Sequence, residues 1–87
     1  MQLSNQQILG VPVETKNGYR LGVVASFEID AEQQRVARYI VKPALVPRML
    51  ARELVISAAQ VITLTNKKMV VEDGVQPLRA AETSPAV

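Results

Sequence analysis

The sequence predicts an all-β fold: a small antiparallel β-barrel of about six strands, with a short helical turn or irregular loop near residues 44–53. Three observations predict it. β-Branched residues dominate the apolar content, with 13 Val and 5 Ile against 8 Leu, one Phe, two Tyr and no Trp, and such side chains suit a pleated surface better than a helix. Apolar alternation of period two recurs in short runs separated by polar turns. The length of 87 residues matches one small domain and is too short for two ordinary cores.

The first element is a hairpin. Asn17-Gly18 between apolar runs is a turn signal, and two registers compete for it. A two-residue loop sets Val13 opposite Gly22 and Glu14 opposite Leu21, which mixes polar with apolar partners. A three-residue loop, Lys16-Asn17-Gly18 with Gly18 left-handed at a bulge, sets Val13 opposite Leu21, Val11 opposite Val23 and Glu14 opposite Arg20. Cross-strand partners share a face, so the bulged hairpin is the expected one.

From Leu21 the alternation continues through Val23, Ala25, Phe27 and Ile29, with Gly22, Ser26, Glu28 and Asp30 on the other side: a long half-buried strand. The polar residues 30–34 turn the chain. In the next strand, 35–42, turning Ala37, Tyr39 and Val41 inward places Phe27 against Tyr39 and Glu28 against Arg38. The opposite choice buries Arg38 and Lys42 at a high desolvation cost. This arrangement leaves Val24, Val36 and Ile40 outward, an apolar patch beside Arg38 and Lys42.

Pro43 and Pro47 exclude an interior strand in the segment that follows. Residues 47–53 suit one or two helical turns, which would set Arg48 and Arg52 on one side. Residues 54–56, 60–65 and 68–72 read as three further strands, the last two joined by the Asn66-Lys67 turn. The domain is expected to span 1–73. The segment 74–87, with two Pro and little periodicity, is expected to be a flexible tail.

Composition excludes several chemistries. Without Cys there is no disulfide, thiolate nucleophile or Cys-ligated metal, and without His there is no imidazole base or His-ligated metal. The glycines form no phosphate-binding motif. Glu28, Asp30 and Glu32 are too few carboxylates for a calcium loop and read as a solvated turn with Glu28 paired to Arg38. The expectation is therefore a non-enzyme with no cofactor and no metal. The polar N-terminus has no signal-peptide pattern and no apolar run is long enough to cross a bilayer, so no membrane insertion and a cytoplasmic location are expected.

The order of the pieces resembles the PRC-barrel domain family. The resemblance rests on Leu9-Gly10-Val11-Pro12-Val13, on Gly18-Tyr19-Arg20-Leu21-Gly22-Val23-Val24, and on the long strand ending at Asp30. It continues through residues 36–41, Leu54-Val55-Ile56, Gln60-Val61-Ile62-Thr63-Leu64 and Met69-Val70-Val71-Glu72-Asp73. It covers residues 6–73 and departs from the pattern at Ser26, where many members carry an acid. It implies a compact barrel of about six strands. Members include the cytoplasmic domain of the photosynthetic reaction-centre H subunit and the C-terminal domain of a ribosome-maturation factor, so the resemblance implies protein contact rather than a shared reaction.

The net charge of +2 is unevenly spread: residues 35–52 hold Arg35, Arg38, Lys42, Arg48 and Arg52 with no acid, and the rest of the chain sums to −3. A basic stretch can steer nucleic acid, although long basic side chains are also ordinary solvated surface. The leading functional expectation is a protein-interaction module, adaptor or scaffold, whose partner is not named by the sequence. It is expected to self-associate, a dimer being favoured, through an outer strand face carrying Val24, Val36, Arg38, Ile40 and Lys42. The alternative is an RNA- or ribosome-associated assembly factor that uses the 35–52 stretch, with Arg35, Arg48 and Arg52 as its basic patch. It ranks second because only Tyr39 lies among these bases as a stacking platform, and the register turns it inward.

Overall fold

The computed structural model describes residues 2–43 and 53–74. They form one sheet of six strands: β1 (Pro12–Thr15), β2 (Arg20–Asp30), β3 (Arg35–Pro43), β4 (Leu54–Ser57), β5 (Val61–Leu64) and β6 (Met69–Val71). The spatial order is β4-β3-β2-β1-β6-β5. Most neighbours are antiparallel, as expected, but β1 and β6 run parallel, Val13 lying beside Met69 and Thr15 beside Val71. The sheet is barrel-like without closing: β4 and β5 are its two edges, and they are consecutive in the chain. The 3-10 helix Ala58–Gln60 joins them. It is also tied to the sheet beyond β5, because the Gln60 carbonyl accepts the Glu72 N–H at 2.9 Å.

A single sheet can bury one face only by curling that face onto itself. The core does this with Val11, Val13, Val24, Tyr39, Val41, Leu54, Ile56, Met69 and Val71, drawn from or next to every strand except β5. From β5, Val61 and Leu64 pack against the same cluster. A short helix α1 (Asn5–Ile8), which the polar N-terminus does not advertise, seats Ile8 in that core. It starts with a capping box: the Ser4 hydroxyl accepts the Gln7 N–H at 3.3 Å, and the Ser4 N–H donates to Gln7 Oε1 at 2.9 Å. The same Ser-x-x-Gln spacing starts the 3-10 helix, where the Ser57 N–H donates to Gln60 Oε1 at 2.9 Å.

The β1–β2 hairpin keeps the expected register only at its tip and takes the other one beyond it. At its tip the three-residue loop forms: the Gly18 N–H donates to the Thr15 carbonyl at 2.8 Å, Gly18 has φ +87°, and Glu14 lies opposite Arg20. The register then shifts, so that Val13 pairs with Gly22 and Pro12 with Val23, in place of the expected Val13–Leu21 and Val11–Val23 pairs. Leu21 is the extra residue of a bulge, and a bulge of one residue exchanges the two faces of a strand. Gly22 and Val24 therefore turn inward and meet Val13 and Val11; Val24 N–H donates to the Val11 carbonyl at 3.0 Å. Gly22 is required at this crossing. Its φ is +155°, and a Cβ would sit 2.8 Å from the Lys42 carbonyl carbon and collide with its oxygen.

Two further shifts re-phase the β2–β3 ribbon. Val24 pairs with Val41 and Ser26 with Ile40, leaving Ala25 as the extra residue on β2. Glu28 pairs with Arg38 and Ile29 with Val36, leaving Ala37 as the extra residue on β3. Between these shifts the expected pairs hold. Phe27 lies opposite Tyr39 with ring centroids 6.2 Å apart and tilted by 60°, and Arg38 Nε stands 3.0 Å from Glu28 Oε1. The expected inward set holds in part: Leu21 and Phe27 pack against the core, whereas Ala25 is exposed and Ile29 is 53% exposed.

Candidate functional site

The outer face of β2 and β3 is the surface the sequence singles out, and β4 extends it. Tyr39 and Val41 point into the core, so the pleat sends Arg38, Ile40 and Lys42 outward between and beside them. Leu54 and Ile56 of β4 are likewise buried, which turns Val55 and Ser57 outward. Ile40 pairs with Val55 on one side and Ser26 on the other. Ile40 and Val55 are half-buried and stand outside the core cluster. The result is a small apolar centre on the outside of a sheet, bordered by Arg38 and Lys42.

Two of the expected patch residues do not belong to it. Val24 is 2% exposed and faces the core, because the bulge at Leu21 exchanges the faces of β2. Val36 is half-buried and packs against the core, because the extra residue Ala37 reverses the phase of β3 at its start. In their place stands Val55, which sequence reasoning missed. Leu54-Val55-Ile56 is apolar throughout, and an uninterrupted apolar run carries no period that separates inner from outer positions. Beside Val55 lies an open groove of about 310 Å³ lined by Ala37, Arg38, Val55, Ser57 and Gln60. Among the described residues β4 pairs only with β3, so its other backbone edge adjoins this surface.

The basic stretch is partly neutralised where it is described. Arg38 forms the ion pair with Glu28, both side chains being more than half exposed. Arg35 lies opposite Asp30 and its Nε donates to Gln33 Oε1 at 2.8 Å. Asp30 Oδ1 accepts the N–H groups of Glu32 and Gln33 at 3.0 and 3.2 Å, the local geometry of an Asx turn. Lys42 is exposed opposite Val23, with no acid across the pair. Arg48 and Arg52, and with them the expected helical turn, lie outside the described residues, as does the segment after Gly74. Tyr39 is buried against Phe27, and that burial raises its phenol pKa above the ordinary value of 10.0.

A second polar cluster ties the hairpin tip to the far strand. Glu14, whose strand partner is Arg20, makes its ion pair instead with Lys68, Nζ to Oε2 at 3.0 Å. Lys16 Nζ stands 3.9 Å from Glu72 Oε1, and Asn17 Nδ2 donates to Asp73 Oδ2 at 2.6 Å. The parallel β1–β6 pairing creates these contacts, since it sets Glu14 of β1 beside the start of β6 and the loop after β1 beside the residues after β6.

Among the described residues no three acidic side chains gather as a metal site would need, and no helix is long and apolar enough to cross a membrane. No curated protein matches the chain. The family model of the PRC-barrel domain matches residues 2–75, which spans both the curled six-stranded sheet and the outer β3–β4 face. The chain belongs to the PRC-barrel domain family.

Proposed function

We propose that this domain is a non-catalytic protein-interaction module that meets its partner through the outer face of β3 and β4, and that its simplest partner is a second copy of itself. The observation that carries the reading is the outward Ile40–Val55 pair beside an open groove on an edge strand, bordered by Arg38 and Lys42. Apolar side chains on an outer face gain nothing from the domain's own core. Covering them removes that surface from water and pairs the edge of β4, which among the described residues has only β3 as a strand neighbour. A two-fold contact fits a single self-complementary patch of this kind.

Ile40→Lys tests it. The variant is expected to keep the wild-type circular dichroism and melting profile and to sediment as a monomer at concentrations where the wild type associates. Unchanged association by a folded Ile40→Lys protein overturns the assignment of this face. A wild type that is monomeric throughout removes the self-association while leaving a foreign partner to be sought by pull-down. The RNA- or ribosome-associated reading has less support: Arg38 and Arg35 each face an acid across the ribbon, and Tyr39 is turned inward. Nuclease-sensitive recovery of ribosomal proteins or RNA with the tagged chain would move the assignment there.

A further inference from the structure

We propose that Asn17–Gly18 is a site of spontaneous covalent modification, imide formation followed by hydrolysis to aspartate or isoaspartate, and that Asp73 is its brake. The reaction needs an asparagine followed by a residue whose backbone nitrogen can reach the side-chain carbonyl carbon without a Cβ in the way. Gly18 provides that, and both residues are exposed on the hairpin tip, open to water and hydroxide. In the step itself the Gly18 amide nitrogen gives its proton to solvent and bonds to Asn17 Cγ. The Cγ–Nδ2 bond breaks, and the nitrogen leaves as ammonia with a proton taken from water. Water then opens the five-membered imide at either carbonyl, giving aspartate or isoaspartate.

The fold engages both reacting groups. The Gly18 N–H, which must be deprotonated, donates to the Thr15 carbonyl at 2.8 Å. The Asn17 amide, which must turn toward that nitrogen, donates instead to Asp73 Oδ2 at 2.6 Å, a partner 56 residues away. A carboxylate hydrogen-bonded to Asn17 also disfavours an anion forming on the backbone nitrogen of the next residue. Once the reaction occurs, the donor becomes an acceptor: a carboxylate at position 17 faces the carboxylate of Asp73, and isoaspartate adds a backbone atom to a three-residue loop. The loop is also held to β6 by the Lys16 N–H to Val71 carbonyl bond at 2.9 Å and by the Lys16–Glu72 pair. Modification therefore works against the junction between the hairpin tip and the last strand.

The test incubates the full-length protein in mildly alkaline buffer and follows, by peptide mapping, the mass gain that separates Asn from Asp. Folded wild type is expected to react about tenfold more slowly than the same chain in urea, the factor that one charge-assisted hydrogen bond supplies. Asp73→Ala, checked for folding by circular dichroism, is expected to lose most of that protection, and Asp73→Asn to lose part of it. Equal rates for native and unfolded chains, or for folded Asp73→Ala and wild type, overturn the brake. No reaction at Gly18 in the unfolded chain overturns the site. Independently, Asn17→Asp is expected to lower the melting temperature, and adding Asp73→Asn, which restores a donor–acceptor pair, to recover it. A double variant no more stable than Asn17→Asp overturns the role of this contact.

Discussion

Substituting Gly22 by Ala tests the crossing at which β2 changes face. Its Cβ would lie 2.8 Å from the Lys42 carbonyl carbon and 2.9 Å from Pro43 Cα, and inside the envelope of the Lys42 carbonyl oxygen. All three atoms are backbone of β3, so no side chain can rotate away. Relief requires β2 and β3 to separate at the Gly22–Pro43 and Val23–Lys42 pairs. Overpacking a well-packed site costs about 1–3 kcal/mol, and a φ of +155° adds about 1–3 kcal/mol for a residue with a side chain. The two together come to about 2–6 kcal/mol. A domain of 87 residues has a total stability of about 4–13 kcal/mol, so with both ranges at their centre the variant should lose about half of it. Urea unfolding followed by circular dichroism measures this, with Gly18→Ala as the control. A Cβ on Gly18 meets nothing within 4 Å although its φ is +87°, so the control isolates the backbone term at about 1–2 kcal/mol. If Gly22→Ala costs no more than Gly18→Ala, the close approach of the two strands is not what this glycine serves.

Three other outcomes follow from the geometry. Val24→Ala should destabilise by about 2–3 kcal/mol and Ile40→Ala by about 1 kcal/mol or less; denaturant midpoints in the reverse order would return Val24 to the outer face. Glu28→Gln should cost under about 1 kcal/mol, less in high salt, because both partners of the Arg38 pair are more than half exposed; a larger loss that salt leaves intact would mean the pair is not solvated. Burial raises the Tyr39 phenol pKa above 10.0, so the unfolded chain loses this proton first. The contribution of Tyr39 is intact below pH 10 and is lost as pH rises through the folded pKa, so Tyr39→Phe should flatten the alkaline fall in stability. An unchanged alkaline slope would place the cause elsewhere.

Strand positions were legible because β-branched runs and polar turns mark them locally. The Phe27–Tyr39 and Glu28–Arg38 pairs were legible too, since a single choice of face for the 35–42 strand decides both. The faces of β2 were not. Leu21, Val23, Ala25, Phe27 and Ile29 make an unbroken alternation, and a bulge leaves no mark on such a pattern beyond a glycine. Gly22 is that mark, and its structural need arises from Lys42, twenty residues away. The error carried directly into the candidate site: once Leu21 is the extra residue, Val24 belongs to the core. The β1–β6 pair is a long-range choice with no local signal, and it decides that Glu14 meets Lys68 rather than Arg20. Only Ser4 and Gln7, three apart, could have announced α1.

The parallel neighbours β1 and β6 also govern when this protein can become a folded domain. Met69 and Val71 are completely buried, and β6 stands between β1 and β5 in the sheet. A nascent chain that has exposed only its first four strands lacks both the side chains that fill the interior and the strand that anchors β5. Bringing Val13 beside Met69 closes a loop of more than fifty residues, an entropic cost met before most of the burial that repays it. The interior is therefore complete only once β6 is in place. Without it, the inward side chains of β1, Val13 above all, have no neighbour on their far side.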